Sequence, residues 1–164
     1  PAVWGRDWMP LFQTLPLDIM AHTVPWLPLE PRGIRIIPSD NFAMLRELAR
    51  DPLFIKRPRV DTVYGLVALM DAAQEQAPNL RGPILVLYGR KDQLVPRRPT
   101  CAVLEALPPD HRVALYEDGY HMLFRDLERE HVIADIAAWT RNPSAALPSG
   151  EEASAETLRR FCGD

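Results

Sequence analysis

The sequence predicts an α/β chain, helical in its first half and built as strand, helix, strand, helix in its second. Three observations predict it. Ile84-Leu85-Val86-Leu87-Tyr88 is a short continuous apolar run closed by Gly89, the pattern of a strand buried on both faces of a parallel sheet. Arg112-Val113-Ala114-Leu115-Tyr116 repeats that pattern after a short amphipathic stretch. Ahead of Pro83 the apolar residues recur at helical spacing instead, and strands that alternate with helices make a parallel unit with a right-handed crossover.

Proline supplies the punctuation, with 17 in 164 residues, about twice the usual share of roughly 5%. From Asp7 to Pro38 the apolar residues Met9, Leu11, Phe12, Leu15, Leu17, Ile19 and Met20 are cut by Pro10, Pro16 and Pro25. Each of these ends or kinks a helix, so short helices joined by stiff turns are expected. Ser39-Asp40-Asn41 offers cap side chains to a helix over 41–50, with Phe42, Leu45 and Leu48 at three-residue spacing. Asp61 caps a helix over 62–75, in which Val63, Val67 and Met70 share one side and Tyr64, Leu66, Leu69 and Ala73 widen it. So broad a face predicts burial on more than one side.

In the second half, a strand over 84–88 leads to a helix over 100–107 that Pro108-Pro109 stops. A strand over 112–116 and a turn at Asp118-Gly119 follow. The last long helix is expected over 127–139, with Val132, Ile136 and Trp139 inward and Glu128, Arg129 and Asp135 outward. Residues 142–150, rich in Pro, Ala and Ser, read as a linker, and 151–161 as one more short helix anchored by Leu158 and Phe161.

The composition narrows the function. Hydrophobic residues at 47% suffice for a core, and a net charge of -3 argues against a nucleic-acid partner, which calls for a basic stripe. The stretch from Trp8 to Leu29 is interrupted by Asp18, His22 and prolines, too broken for a spanning helix, though it can lie on a lipid surface as a peripheral contact. Cys101 and Cys162 lie far apart in no metal-type spacing, which reads as two free thiols in a cytoplasmic protein. With no glycine-rich phosphate loop and no Cys/His cluster, neither cofactor nor metal is expected. The opening Pro1-Ala2-Val3-Trp4, apolar and without Met, reads as a cut.

Loops leaving the C-terminal ends of parallel strands emerge on one edge of the sheet, where ligands bind. Asp92 lies three residues past Gly89, and His121 two past Gly119. Adjacent strands run about 5 Å apart, so the two side chains can meet. Gly119 permits the tight turn that brings His121 back over the edge. An Asp that orients a His is the acid–base pair of a nucleophilic triad. His22, His111 and His131 fall in a proline-broken segment, a polar turn and a helix surface, and are read as structural.

Gly89-Arg90-Lys91-Asp92-Gln93-Leu94-Val95-Pro96 and Tyr116-Glu117-Asp118-Gly119-Tyr120-His121, with the helix ending at Trp139, resemble the closing segment of α/β-hydrolases, most nearly the monoacylglycerol lipase and lysophospholipase branch. The likeness covers about residues 1–141. It implies that Asp92 is the catalytic acid and His121 the catalytic base. It also implies an organisation: residues 1–4 the tail of a sixth strand, 5–60 a helical cap, 61–141 the C-terminal part of the core, and 142–164 a linker and tail. The family's serine sits in Gly-x-Ser-x-Gly, and Ser39, Ser144, Ser149 and Ser154 all lack that setting. The resemblance therefore implies a C-terminal fragment of a hydrolase of lipophilic carboxylic esters, lysophospholipids or monoacylglycerols, its nucleophile upstream and the isolated chain inert. Leu94 and Met122 would line the pocket, with Trp8, Phe12, Met20 and Trp26 of the cap supplying lipophilic cover. The first strand, short of a neighbour, would favour a homodimer or strand exchange. The competing expectation is a non-catalytic interaction module on the same scaffold.

Overall fold

The computed structural model describes residues 3–30 and 36–163. The expected parallel pair is β1 (Leu85–Gly89) and β2 (Arg112–Tyr116), with Leu85 opposite Arg112 and Gly89 opposite Tyr116. Among the described residues there are six α-helices: α1 (Leu11–Thr23), α2 (Phe42–Arg50), α3 (Val60–Gln76), α4 (Arg97–Ala106), α5 (Arg129–Arg141) and α6 (Ala155–Gly163). Side chains alternate across β2, as a period of two requires. Val113 and Leu115 pack with Tyr88, Leu104 and Phe161 on one face. Ala114 and Tyr116 pack with Leu123, Val132 and Leu147 on the other. Both faces are thus covered, which is why the strand reads as an unbroken apolar run. The outer edge of β2 is closed by the chain returning after α5, where the Leu115 amide donates to Glu151 O (3.0 Å) and the Ala153 amide to Val113 O (2.8 Å). Among the described residues the outer edge of β1 has no strand beside it.

Several expectations change. Pro10 caps α1 and Pro25 follows its end, but Pro16 sits inside an unbroken helix. Because α1 buries none of its residues, solvent can reach the Phe12 carbonyl that Pro16 leaves without a donor. Asn41 caps α2 as expected, accepting from the Met44 amide at 3.1 Å. Asp61 does not cap α3. The helix starts at Val60, and Asp61 lies in its first turn, accepting from Arg59 Nε at 3.1 Å. Nor is α3 buried on several sides: Val60, Val67 and Met70 are inside, whereas Leu66 and Leu69 are 50% and 67% exposed. Helix α4 begins at Arg97, since Pro96 takes the capping position and Pro99 falls in the first turn, where a missing N–H costs nothing. The sixth-strand segment begins on residues outside those described; Val3 and Trp4 pair with no strand, and Val3 O accepts from Gln74 Nε2 at 2.8 Å.

The cysteines are not free. Cys101 in α4 is bonded to Cys162 in α6, with Cα atoms 5.7 Å apart and a sequence separation of 61. Two helices that pack side by side bring the thiols together, and closing a ring of this length restricts the unfolded chain by about 4 kcal/mol. The cytoplasmic expectation rested on free thiols, and the bridge removes that ground. No helix among the described residues is long and apolar enough to cross a membrane.

Asp135 is not outward either. It is fully buried, accepting from the Tyr116 hydroxyl at 2.8 Å, the Ser149 amide at 2.8 Å and the Ser149 hydroxyl at 2.5 Å. It lies three residues past Val132 and so on the same inner face of α5. Its carboxylate satisfies a core phenol and ties down the segment expected to be a linker, in which Leu147 is buried as well.

Candidate active site

The parallel register sets the ends of β1 and β2 level, and backbone hydrogen bonds carry the pairing into the loops beyond. The Arg90 amide donates to Tyr116 O (3.0 Å) and the Lys91 amide to Gly119 O (2.9 Å). This close approach requires glycine at both positions. A Cβ on Gly89 would stand 2.4 Å from Gly119 O, and one on Gly119 would stand 2.6 Å from Leu123 Cδ2 and 2.8 Å from Tyr116 Cβ.

Held this way, His121 Nδ1 lies 3.0 Å from Asp92 Oδ2. The other carboxylate oxygen, Asp92 Oδ1, accepts from the backbone amides of Leu94 (2.8 Å) and Val95 (3.0 Å). Burial works against the charge on Asp92, whose side chain is only 6% exposed, but the hydrogen bonds from His121, Val95 and Leu94 prevail and hold its carboxyl below the ordinary value. A carboxylate only accepts, so His121 Nδ1 donates in this contact, and in the neutral ring that tautomer leaves the lone pair on Nε2.

The backbone around His121 is fastened from two directions. Asp126 Oδ2 accepts from the Tyr120 amide at 2.8 Å. The Met122 amide donates to Pro38 O at 2.9 Å, the Leu127 amide to Asp40 Oδ1 at 2.8 Å, and Asn41 Nδ2 to Arg125 O at 3.2 Å. Segment 37–41 also reaches the loop that carries Asp92, where the Ile37 amide donates to Gln93 Oε1 at 3.1 Å. Sequence reasoning treated Ser39-Asp40-Asn41 as a helix cap and missed this latch.

A cavity of about 630 Å³ opens beside His121. His121 lines it together with Leu87 of β1, both expected residues Leu94 and Met122, and Phe124 and Arg125. Its first-half wall comes from Pro38, Leu48 and Phe54; Trp8, Phe12, Met20 and Trp26 do not line it. The remaining histidines are held locally: His22 Nδ1 by Asp18 O and His111 Nδ1 by Pro108 O, each at 2.7 Å, and His131 beside Glu128 at 3.3 Å. Among the described residues no group of three or more His, Cys, Asp or Glu could hold a metal ion.

The sequence matches the family described as Serine aminopeptidase, S33, over residues 1–128. The chain belongs to that family of α/β-hydrolases. A monoacylglycerol lipase of Mycolicibacterium smegmatis is 21% identical over 140 residues, a stretch that covers 85% of this S33-family chain and 50% of that protein. The crystal structure of the Paleococcus ferrophilus monoacylglycerol lipase superposes with a TM-score of 0.69 at 24% identity, over 85% of this chain and 55% of that one, and shows the same fold. The chain thus spans about half the length of the relatives it matches.

Proposed function

We propose that this chain carries the acid–base half of a serine-hydrolase site for lipophilic carboxylic esters, of the monoacylglycerol or lysophospholipid kind. The observation that carries the reading is the 3.0 Å contact between His121 Nδ1 and the covered carboxyl of Asp92, set at the ends of two parallel strands, with His121 lining an apolar cavity. In the reaction, Asp92 holds the proton on His121 Nδ1. His121 Nε2 takes the proton of a serine hydroxyl as that oxygen attacks the acyl carbon, then returns it to the leaving alkoxide, and Asp92 steadies the imidazolium between the two transfers. The serine comes from outside these 164 residues, because none of the four serines present lies in a Gly-x-Ser-x-Gly setting. Leu87, Leu94, Met122 and Phe124 give the acyl chain an apolar wall.

The test compares two proteins. The 164-residue chain is expected neither to hydrolyse nitrophenyl esters nor to be labelled by a fluorophosphonate. A longer protein joining the same residues to a Gly-x-Ser-x-Gly segment encoded upstream is expected to do both, and to lose turnover as His121→Ala or Asp92→Ala. Ester turnover by the 164-residue chain that survives His121→Ala overturns the reading.

Two contacts extend the proposal. The edge of β1 that no strand of the described residues pairs suits a second copy of the chain, and sedimentation as a monomer at all concentrations would exclude that. Exposed Trp8, Phe12 and Trp26 suit a lipid surface, and phospholipid vesicles that leave their tryptophan fluorescence unchanged would exclude that.

A further inference from the structure

The family match ends at residue 128 and α6 lies beyond it, yet α6 reaches the loop that carries Asp92. Beside the bridged Cys162, the buried Phe161 meets the Tyr88 ring edge-on with centroids 5.6 Å apart. The same Phe161 ring lies 5.8 Å from the guanidinium carbons of both Arg90 and Arg97. Tyr88 and Arg90 stand before Asp92 and Arg97 after it, so one side chain of α6 meets both ends of the acid loop. The buried Tyr88 hydroxyl donates to Val95 O at 2.8 Å, and the Val95 amide donates to Asp92 Oδ1 at 3.0 Å. Burial, and then the charge of Asp92, push the Tyr88 phenol up to about 12, so it stays protonated and keeps donating.

We propose that Tyr88 is a positioning residue for Asp92, and that the Cys101–Cys162 bridge makes this positioning redox-dependent by holding Phe161 against Tyr88. A dithiol reductant opens the bridge. One of its thiolates attacks a bridge sulfur, the second displaces the remaining cysteine as its own cyclic disulfide closes, and the two electrons and two protons end on two cysteine thiols. A cavity of about 250 Å³ lined by Leu104, His111, Leu158 and Cys162 gives the reductant an approach. Without the bridge, α6 is a nine-residue helix docked mainly through Leu158 and Phe161, too short to persist by itself. Its release removes Phe161 from Tyr88 and loosens Val95 and Asp92. This coupling stands on the contacts alone; only its effect on catalysis rests on reading Asp92 as the acid.

The experiment follows the 164-residue chain by NMR, before and after dithiothreitol, reading amide exchange at Leu94 and Val95 and the carboxyl titration of Asp92. Reduction is expected to speed exchange at both amides about tenfold or more and to move the Asp92 titration up toward the ordinary carboxylate value, while α5 amides keep their protection. Tyr88→Phe keeps the ring on Phe161 but removes the hydroxyl, so Val95 should already exchange fast when oxidised and respond no further to reduction. Phe161→Leu, with the bridge intact, should reproduce the reduced state and stands in if a Cys101→Ser, Cys162→Ser chain fails to fold. The proposal is overturned if Leu94, Val95 and Asp92 ignore reduction, if Tyr88→Phe responds as the parent does, or if α5 opens together with the loop. None of these readouts needs ester turnover, so failure of the hydrolase reading cannot imitate failure here.

Discussion

Replacing Asp135 with alanine removes the acceptor of three hydrogen bonds at a fully buried position. The Tyr116 hydroxyl loses its partner inside the core, and an orphaned buried polar group costs about 1–3 kcal/mol. The two Ser149 donors lose a charged acceptor, and hydrogen bonds to charged groups contribute about 1.5–3 kcal/mol each, although Ser149 is only half-buried and water recovers part of the loss. With that recovery the sum comes to about 4 kcal/mol. In a chain of this size each kcal/mol lowers Tm by about 2–4 °C, so Asp135→Ala should lower it by about 8–16 °C. Tyr116→Phe leaves the Ser149 bonds in place and should cost about 1–2 kcal/mol. Because both changes break the same bond, the double variant should lose less than the sum of the two. Urea unfolding followed by circular dichroism measures all three. A loss under about 1 kcal/mol for Asp135→Ala, or strict additivity with Tyr116→Phe, would refute the assignment of Asp135 as the clamp between β2, α5 and the returning chain.

Two further outcomes follow from the loops. Gly89→Ala puts a Cβ 2.4 Å from the Gly119 carbonyl oxygen, so it should destabilise the chain by about 2 kcal/mol or more and shift the His121 ring resonances, which a two-dimensional NMR spectrum checks. The Asp92 carboxyl is held below its ordinary value in the fold, so its contribution to stability is full above the unfolded value of about 3.9 and is lost as pH falls through the lower folded value. Urea midpoints between about pH 5 and pH 2 should therefore fall more steeply for the parent than for Asp92→Asn, and parallel curves would contradict this.

The parts of the fold that the sequence made legible were those carried by local pattern. Continuous apolar runs marked β1 and β2 within a residue, and their parallel pairing was enough to bring Asp92 and His121 onto one edge. What escaped depends on partners distant in sequence. Asp135 stands among charged residues on a helix and reads as solvated until Tyr116 and Ser149 are seen to converge on it. Cys101 and Cys162 carry no spacing signal across 61 residues, and only the packing of α6 on α4 joins them. The latch from 37–41 onto the His121 loop consists of backbone and short polar groups more than 80 residues apart, to which periodicity is blind. Proline was misread in one place for a physical reason: a helix interior is costly for it mainly where the freed carbonyl is buried, and at Pro16 it is not.

The central proposal is that Asp92 fixes the proton of His121 on Nδ1 and leaves Nε2 free to act as base. The most direct measurement is the nitrogen-15 spectrum of the His121 ring at alkaline pH, in the parent chain and in Asp92→Ala. The parent should show a protonated Nδ1 and an unprotonated Nε2, and Asp92→Ala should lose that preference. A His121 that carries its proton on Nε2 in the parent, or whose tautomer is the same in both proteins, would contradict the account.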